Sequence, residues 1–423
     1  MIKIIKASDL QSENEAKKIS VNAEVTDTVR AIIAGIRERG DEALREYTKK
    51  FDGCKLKTFE LDRADMDEAI RAADPEFVEI LRQAARNIDE YHRNQIRAGF
   101  DLMPKDGVIL GQKFTPIAKA ACYIPGGTAS LPSSVLMNVI PAKIAGVREV
   151  IIATPPPVST NILAAAKIAG ADRVFSIGGA QAIAALAYGT ETIPRVDKIT
   201  GPGNAYVTEA KRQLYGVVGI DMLAGPSDIL IIADKTANSK HIAADMLSQC
   251  EHGSDSFAIL ITDSMTLAKK VRAELNTQLA SLPRKSIAQE AINKNSTIII
   301  SSTIDEAFDI SNNRAPEHLA IHLDEPFSHL NKVINAGSIF LGKYTPETAG
   351  DYMAGPNHTI PTNGTARFSS PLSVDDFVKK SSYIHYCQEA LENSGKAIMR
   401  YAREEGLEAH ARAVQIRLDD YKD

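Results

Sequence analysis

The chain moves between two hydrophobic rhythms. Through roughly the first hundred residues, apolar positions recur every three or four. VTDTVRAIIAGIRERGDEALREYTKKFDG keeps that spacing as far as Asp52-Gly53, and EFVEILRQAARNIDEYHRNQ repeats it, so this part is expected to be mostly helical. From about residue 108 the rhythm changes to short runs rich in Ile and Val: AACYIP, EVIIATPP, RVFSIGG, KITGPG, DILIIAD, FAILITD, STIIISS and EHLAIHL. Most of them are followed by Gly, Pro or Asp, with helical segments between. Unbroken apolar runs joined through helices indicate parallel strands covered on both faces. There are too many for one small sheet, so the expected fold class is α/β with two domains. After about residue 372 the runs stop. DDFVKKSSYIHY and GKAIMRYAREEGLEAHARAVQIRLDD are expected to form a helical tail.

Composition narrows the function classes. Of 423 residues, 44% are hydrophobic and 24% charged, an ordinary enzyme balance. The net charge is −5 with no basic run, which argues against nucleic acid as a partner. The opening MIKIIKASDL has no apolar core of a signal peptide, and no long apolar stretch follows. The expectation is a cytoplasmic protein without a membrane partner. The four cysteines, Cys54, Cys122, Cys250 and Cys387, form no CxxC pair, which fits a reducing compartment.

Two strands run through glycine into helices: RVFSIGGAQAIAALAYG at Gly178-Gly179, and KITGPGNAYVTEAKRQLYG at Gly201-Pro202-Gly203. Such turns leave free N–H groups and a positive helix end facing one spot at the carboxyl ends of strands, which suits a pyrophosphate. By themselves they read more simply as two tight turns with no ligand, because GPGNAY lacks the third glycine of GxGxxG. A third loop, YIPGGTASLPSS, carries Tyr123, whose ring could lie against a base.

LSQCEHGSD packs five candidate ligands into nine positions. In SKHIAADMLSQCEH, the residues Ala243, Met246, Leu247 and Cys250 mark the buried stripe, so Cys250 reads as a core residue. Gln249 and His252 stand three apart on the opposite side, which permits either a shared ion or a solvated polar face. In RAPEHLAIHL, Pro316 is expected to keep the residue before it extended, setting Glu317 and His318 at a strand mouth. That pair could divide proton work, or be a surface acid–base pair. Asp351 and His358 lie in GDYMAGPNHTIPT, a loop dense in Gly, Pro and Asn.

Together these segments resemble the histidinol dehydrogenase family. The likeness runs over nearly the whole chain, through GDEALREYTKKFDG, GQKFTPI, CYIPGGTASLPSSVLMNVIPAKIAGV, IGGAQAIAALAYGT, ITGPGNAYV, AGPSD, LSQCEHG, NRAPEHL, LGKYTPETAGDYMAGPNHTIPTNGTARFSSPLSVDDF and EGLEAHA. The resemblance implies a zinc-bound homodimer of two incomplete Rossmann-like domains with terminal extensions. It implies oxidation of L-histidinol to L-histidine through the aldehyde, with two NAD⁺ used in succession. Carried over residue by residue, zinc falls to Gln249, His252, Asp351 and His410. The catalytic pair is Glu317, which activates water, and His318, the general base. Further substrate contacts fall to Ser227, His358 and Glu405, and cofactor contacts to Tyr123, Gln181 and Asn204. The implied layout is an extension over 1–22, a first α/β domain of 23–122 and 229–372 with the metal and catalytic residues, a second, NAD-side domain of 123–228, and a tail of 373–423 that reaches the partner subunit. Two positions depart from the family's usual wording: Asp228 in GPSD and Asn363 in PTNGTA. A relative in the same superfamily oxidising a different polyol or amino alcohol, and a zinc hydrolase without cofactor, are the competing readings.

Overall fold

The computed structural model describes residues 2–10, 23–126 and 130–420. Among these, the strands in chain order are β1 (Lys3–Lys6), β2 (Glu60–Leu61), β3 (Phe100–Lys105), β4 (Val108–Pro116), β5 (Lys119–Tyr123), β6 (Glu149–Thr154), β7 (Arg173–Ser176), β8 (Lys198–Thr200), β9 (Gly219–Ile220), β10 (Asp228–Ala233), β11 (Phe257–Thr262), β12 (Thr297–Ile300), β13 (His318–His322), β14 (Ser338–Leu341) and β15 (Val378–Tyr386). The chain divides into two units. The first holds residues up to Gln95 and Ile117–Phe377; the second holds Ile96–Pro116 and the residues from Val378 on.

The first unit contains two sheets of six strands, ordered β2-β7-β6-β5-β8-β9 and β1-β12-β11-β10-β13-β14. Apart from their first-named edge strands the two orders are the same, with the chain reversing its direction of travel beside β5 in one and beside β10 in the other. The inner strands are parallel and buried throughout, as their continuous Ile/Val runs require. The edges differ: β1 joins in parallel, while β2 pairs antiparallel over two residues.

Helices of the first hundred residues pack onto the helices that join the strands of the β2–β9 sheet and share its two cores. Val29, Ile32, Ile36, Ala43 and Leu44 pack with Ala121, Ile151 and Phe175 on one face. Met66, Leu81, Ala84 and Ile88 pack with Ala120, Val150 and Ile152 on the other. This redraws the expected layout. Residues 23–95 and β5 belong with the 149–220 strands, because their apolar stripes are complementary to that sheet. Lys3–Lys6, expected in an extension, supplies an edge strand of the other. The first helical stretch is also two helices, Ala23–Arg39 and Asp41–Phe51. Gly40 separates them at φ +51, a conformation that other residues rarely adopt.

The second unit is a sheet ordered β15-β4-β3 with helices Gln388–Glu404 and Glu408–Asp419. VKKSSYIHY, expected to be helical, is the strand β15, paired antiparallel with β4 from Val378–Pro116 to Tyr386–Val108. Its pairing partner lies far away in sequence, so no local pattern announces it. The helices meet through Met399, Ala402 and Ala411. No helix among the described residues is long and apolar enough to cross a membrane.

Candidate active site

His318 opens β13 with Glu317 immediately before it, beside Asp228, which opens β10. Both side chains are buried. The Glu317 carboxylate accepts a hydrogen bond from the Asp228 N–H at 2.8 Å, and the Glu317 N–H donates to Asp228 Oδ1 at 3.1 Å. His318 Nδ1 lies 2.8 Å from the Asp228 carbonyl oxygen. A carbonyl only accepts, so Nδ1 carries the proton and Nε2 keeps its lone pair. Burial lowers the imidazole's proton affinity against the opposing Asp351 charge, so the ring is neutral near pH 7 and able to take a proton. Burial first, and then the Asp228 charge, push the Glu317 carboxyl well above its ordinary value. Phe340 covers the imidazole with ring centroids 5.9 Å apart. The pair is thus a buried one rather than a surface one. The backbone entry differs from expectation: Ala315, ahead of Pro316, is left-handed at φ 50, ψ 63, where it caps the helix Ile304–Arg314.

Gln249 is the next-to-last residue of the helix Ser239–Cys250, and His252 lies in the turn beyond it. Cys250 is fully buried in the core, as its place in the stripe predicts. Gln249 is buried too, so a solvated face does not describe it, whereas His252 is exposed. The Gln249 amide donates through Nε2 to the Glu347 carboxylate, which also accepts from Ser248 Oγ at 2.8 Å. This leaves Gln249 Oε1 buried with no hydrogen-bond partner. An orphaned amide oxygen is costly unless something electropositive meets it. Glu347 and Asp351 stand four apart on the helix Glu347–Tyr352. Asp351 is 3.9 Å from His358 Nδ1 at its nearer carboxylate oxygen, and the charges of Asp351, His252 and His358 all act on His318. His358 Nε2 faces Ser134 Oγ at 3.3 Å. Ser227 directly precedes Asp228, and its carbonyl anchors β11 through Phe257. These residues of the first unit therefore gather around the amino ends of β10 and β13. Glu405 and His410 are exposed residues of the second unit, at the end of one helix and on the first turn of the next. Among the described residues no three His, Cys, Asp or Glu side chains form a cation cluster by themselves.

The glycine-rich turns lie at the carboxyl ends of β7 and β8. Gly179 has φ +66 and Gly201 φ +104, and a Cβ on Gly201 would sit 2.1 Å from the Tyr123 carbonyl oxygen. Asn204 caps the helix Ala205–Leu214, accepting from the N–H groups of Tyr206 and Val207. Gln181 is buried on the first turn of the helix Gly179–Tyr188 and its Nε2 lies 3.5 Å from Asp52 Oδ2. Tyr123 departs from expectation as a stacking surface: its ring is only 3% exposed and its hydroxyl accepts from the Gly179 N–H at 3.0 Å. Residues 127–129 of its loop lie outside the described residues. A buried ion pair supports the second turn. Lys211 Nζ donates to the Gly201 carbonyl at 3.0 Å and to Asp221, and Asp221 accepts from the Gly201 N–H at 2.7 Å.

Sequence reasoning passed over Asp52, Lys211, Asp221, Asp228 and Glu347. Glu347 had a usable signal, four residues before Asp351 on one short helix face. Asp52 and Asp228 act through partners distant in sequence, while Lys211 and Asp221 meet over ten residues across the β8 turn, at no periodic spacing.

The family model described as histidinol dehydrogenase matches residues 15–418. A histidinol dehydrogenase of Bacillus cereus is 54% identical over 401 residues, 94% of each chain. One of Listeria innocua is 49% identical over 416 residues, 98% of this chain and 97% of its own. The crystal structure of histidinol dehydrogenase from Elizabethkingia anophelis superposes with a TM-score of 0.93 at 38% identity, covering 100% of this chain and 99% of that one. A salicylaldehyde dehydrogenase of Pseudomonas putida G7 shares the fold alone, with a TM-score of 0.52 at 12% identity, covering 86% of this chain and 91% of that one. Fold and site together define an α/β oxidoreductase with a buried acid–imidazole pair. The chain belongs to the histidinol dehydrogenase family, whose name carries its place in histidine biosynthesis.

Proposed function

We propose that the chain performs the NAD-dependent four-electron oxidation of L-histidinol to L-histidine through L-histidinal. The observation that carries this is the buried Glu317–His318 pair with its imidazole proton fixed on Nδ1. His318 Nε2 takes the hydroxyl proton of the alcohol as the C–H bond gives up its hydride. Glu317 then takes a proton from the water that adds to the aldehyde carbon and passes it to solvent, while His318 returns its proton to the former carbonyl oxygen, giving the hydrate and a neutral imidazole. His318 takes a hydroxyl proton from that hydrate in the second oxidation. One water is consumed, and two hydrides leave with their four electrons.

Two groups would complete the reaction: NAD⁺ would supply the hydride acceptor, and one Zn²⁺ per subunit would supply a Lewis acid to hold the substrate. Gln249, His252, Asp351 and His410 would hold the metal. The buried, unpartnered Gln249 Oε1 fits that role, since a cation is what an oxygen lone pair in such a place lacks. Ser227, His358 and Glu405 would bind the substrate alongside the ligands and the catalytic pair. Tyr123, Gln181 and Asn204 would border the cofactor; for Tyr123 the support lies in the loop it braces rather than in an open ring. Each subunit of a homodimer would lend its tail, with Glu405 and His410, to its partner's site. The cytoplasm suits an NAD-dependent enzyme whose four cysteines are all free.

The test is stoichiometric. Purified, zinc-analysed protein is given limiting histidinol and excess NAD⁺, and NADH is followed by absorbance. Two NADH per histidinol are expected. One NADH would limit the enzyme to the alcohol step, and none would refute the reading.

A further inference from the structure

Because the two sheets share a strand order, positions in one have counterparts in the other. Ala120 pairs with Lys198 across β5 and β8, and Ile229 pairs with His318 across β10 and β13. One residue earlier, Lys119 and Asp197 therefore correspond to Asp228 and Glu317. The surrounding backbone confirms the match. Ala118 and Ser227 each accept from the first residue of the neighbouring strand, Glu149 and Phe257, at 3.2 Å. Asp197 and Glu317 each accept through the main chain from Gly219 and Ser338 at 2.9 Å. The acids themselves do the same job. Asp197 accepts from the N–H groups of Ala118 and Lys119 at 2.9 Å each, and Glu317 accepts from the N–H of Asp228 at 2.8 Å.

One link differs. In the β2–β9 sheet the Asp197 N–H donates to the Lys119 carbonyl at 3.0 Å. In the other sheet the matching N–H, that of Glu317, goes instead to the Asp228 side chain at 3.1 Å, and the Asp228 carbonyl receives His318 Nδ1 at 2.8 Å. Lysine at position 119 carries no acceptor, so the exchange is unavailable there; its ammonium pairs with Glu149.

We propose that the Asp228 carboxylate is a positioning residue for the acid–imidazole pair: by taking the Glu317 N–H it leaves its own carbonyl to hold the His318 ring and its tautomer. The Asp228 carboxylate bonds the Glu317 main chain rather than the proton-handling atoms, and so acts through its neighbours. With the side-chain acceptor gone, the Glu317 N–H turns to the Asp228 carbonyl and competes with the imidazole. The inference rests on Glu317 and His318 being the proton-handling pair. If His318→Asn and Glu317→Gln both keep full activity, that reading falls first.

The test compares Asp228→Ala with Asp228→Asn. The asparagine Oδ1 accepts in the same place without charge. Asp228→Ala is expected to lower kcat of both oxidations roughly tenfold to a hundredfold, the scale of a misplaced catalytic group, with the histidinol KM nearly unmoved. The ¹⁵N spectrum of its labelled His318 ring should lose the single Nδ1–H form seen in the wild type. Asp228→Asn should restore most of kcat and that spectral signature. Should Asp228→Ala fail to fold, Asp228→Leu, of similar size and without an acceptor, takes its place. Wild-type kcat and tautomer without the acceptor would overturn the proposal. So would an asparagine variant as impaired as the alanine, because charge rather than hydrogen-bond acceptance would then be what matters.

Discussion

Substitution of Lys211 by methionine separates the stability of the β8 turn from its chemistry. Lys211 and Asp221 are 2% and 1% exposed at their side chains, and together they grip both the N–H and the carbonyl of Gly201. Methionine fills much of the lysine's volume but leaves Asp221 buried with a backbone N–H and no counter-charge. Breaking one side of a buried pair costs about 3–5 kcal/mol. At about 2–4 °C per kcal/mol for a domain of 150–250 residues, the melting temperature should fall by roughly 6–20 °C. Asp221→Asn should cost a similar amount, because it strands the ammonium. The double variant carries neither charge and retains an acceptor for the Gly201 N–H, so it should be more stable than either single one. Thermal unfolding of the four proteins gives the coupling energy directly. A double variant whose loss equals the sum of the single losses would refute the reasoning, since the two groups would then not be acting as a pair. The folded double variant should also raise the KM for NAD⁺ more than that for histidinol, because the turn it loosens carries Asn204.

Other expectations follow from the site and core. Glu317→Gln should slow oxidation of added histidinal more than oxidation of histidinol to the aldehyde, whereas His318→Asn slows both; equal loss of the two halves in Glu317→Gln would end the division of labour. Since Glu317 must be ionised to accept a proton and its value is raised, the aldehyde step in wild type should keep rising with pH beyond the ordinary carboxylate range. Cys122 and Cys250, buried and pushed up to about 12, should resist thiol reagents in native protein at pH 8 and react once it is unfolded. Cys250→Ala should cost about 1 kcal/mol of packing and keep its zinc by metal analysis; loss of zinc would make the cysteine a ligand. Co-expression of a His318→Asn chain with a His410→Asn chain should restore activity if the tail works in its partner's site, and mixed dimers that stay inactive would exclude the crossing.

What the sequence disclosed divides along physical lines. The strands buried on both faces were legible because their burial demands unbroken Ile and Val, and β10 to β13 repeat that signature. β15 was not, since VKKSSYIHY is exposed over most of its length and is a strand only through pairing with β4. The domain division failed where the helices of residues 23–95 chose their sheet, a matter of complementary surfaces rather than periodicity. Glu317, His318 and Gln249 stood out by residue type and spacing. Their burial did not, because Asp228 is 89 positions from Glu317 and Glu347 is 98 from Gln249.

The Gln249 amide has a further consequence. Its orientation is set by Glu347 and Ser248, groups of the folded chain itself, before any ion is considered. In small zinc-dependent domains the metal organises its own ligands, so its binding energy is also folding energy and chelation unfolds them. Here the proposed donor is rotated and buried in advance, and the entropy of placing it belongs to the fold. Such a socket should empty and refill without the protein unravelling. Stripping with a chelator should abolish catalysis while leaving the circular dichroism and much of the cooperative melt intact, and re-addition of Zn²⁺ should return activity at a rate set by diffusion and desolvation of the ion rather than by refolding. Loss of the folded signal on chelation would place the metal among the elements that hold the chain together.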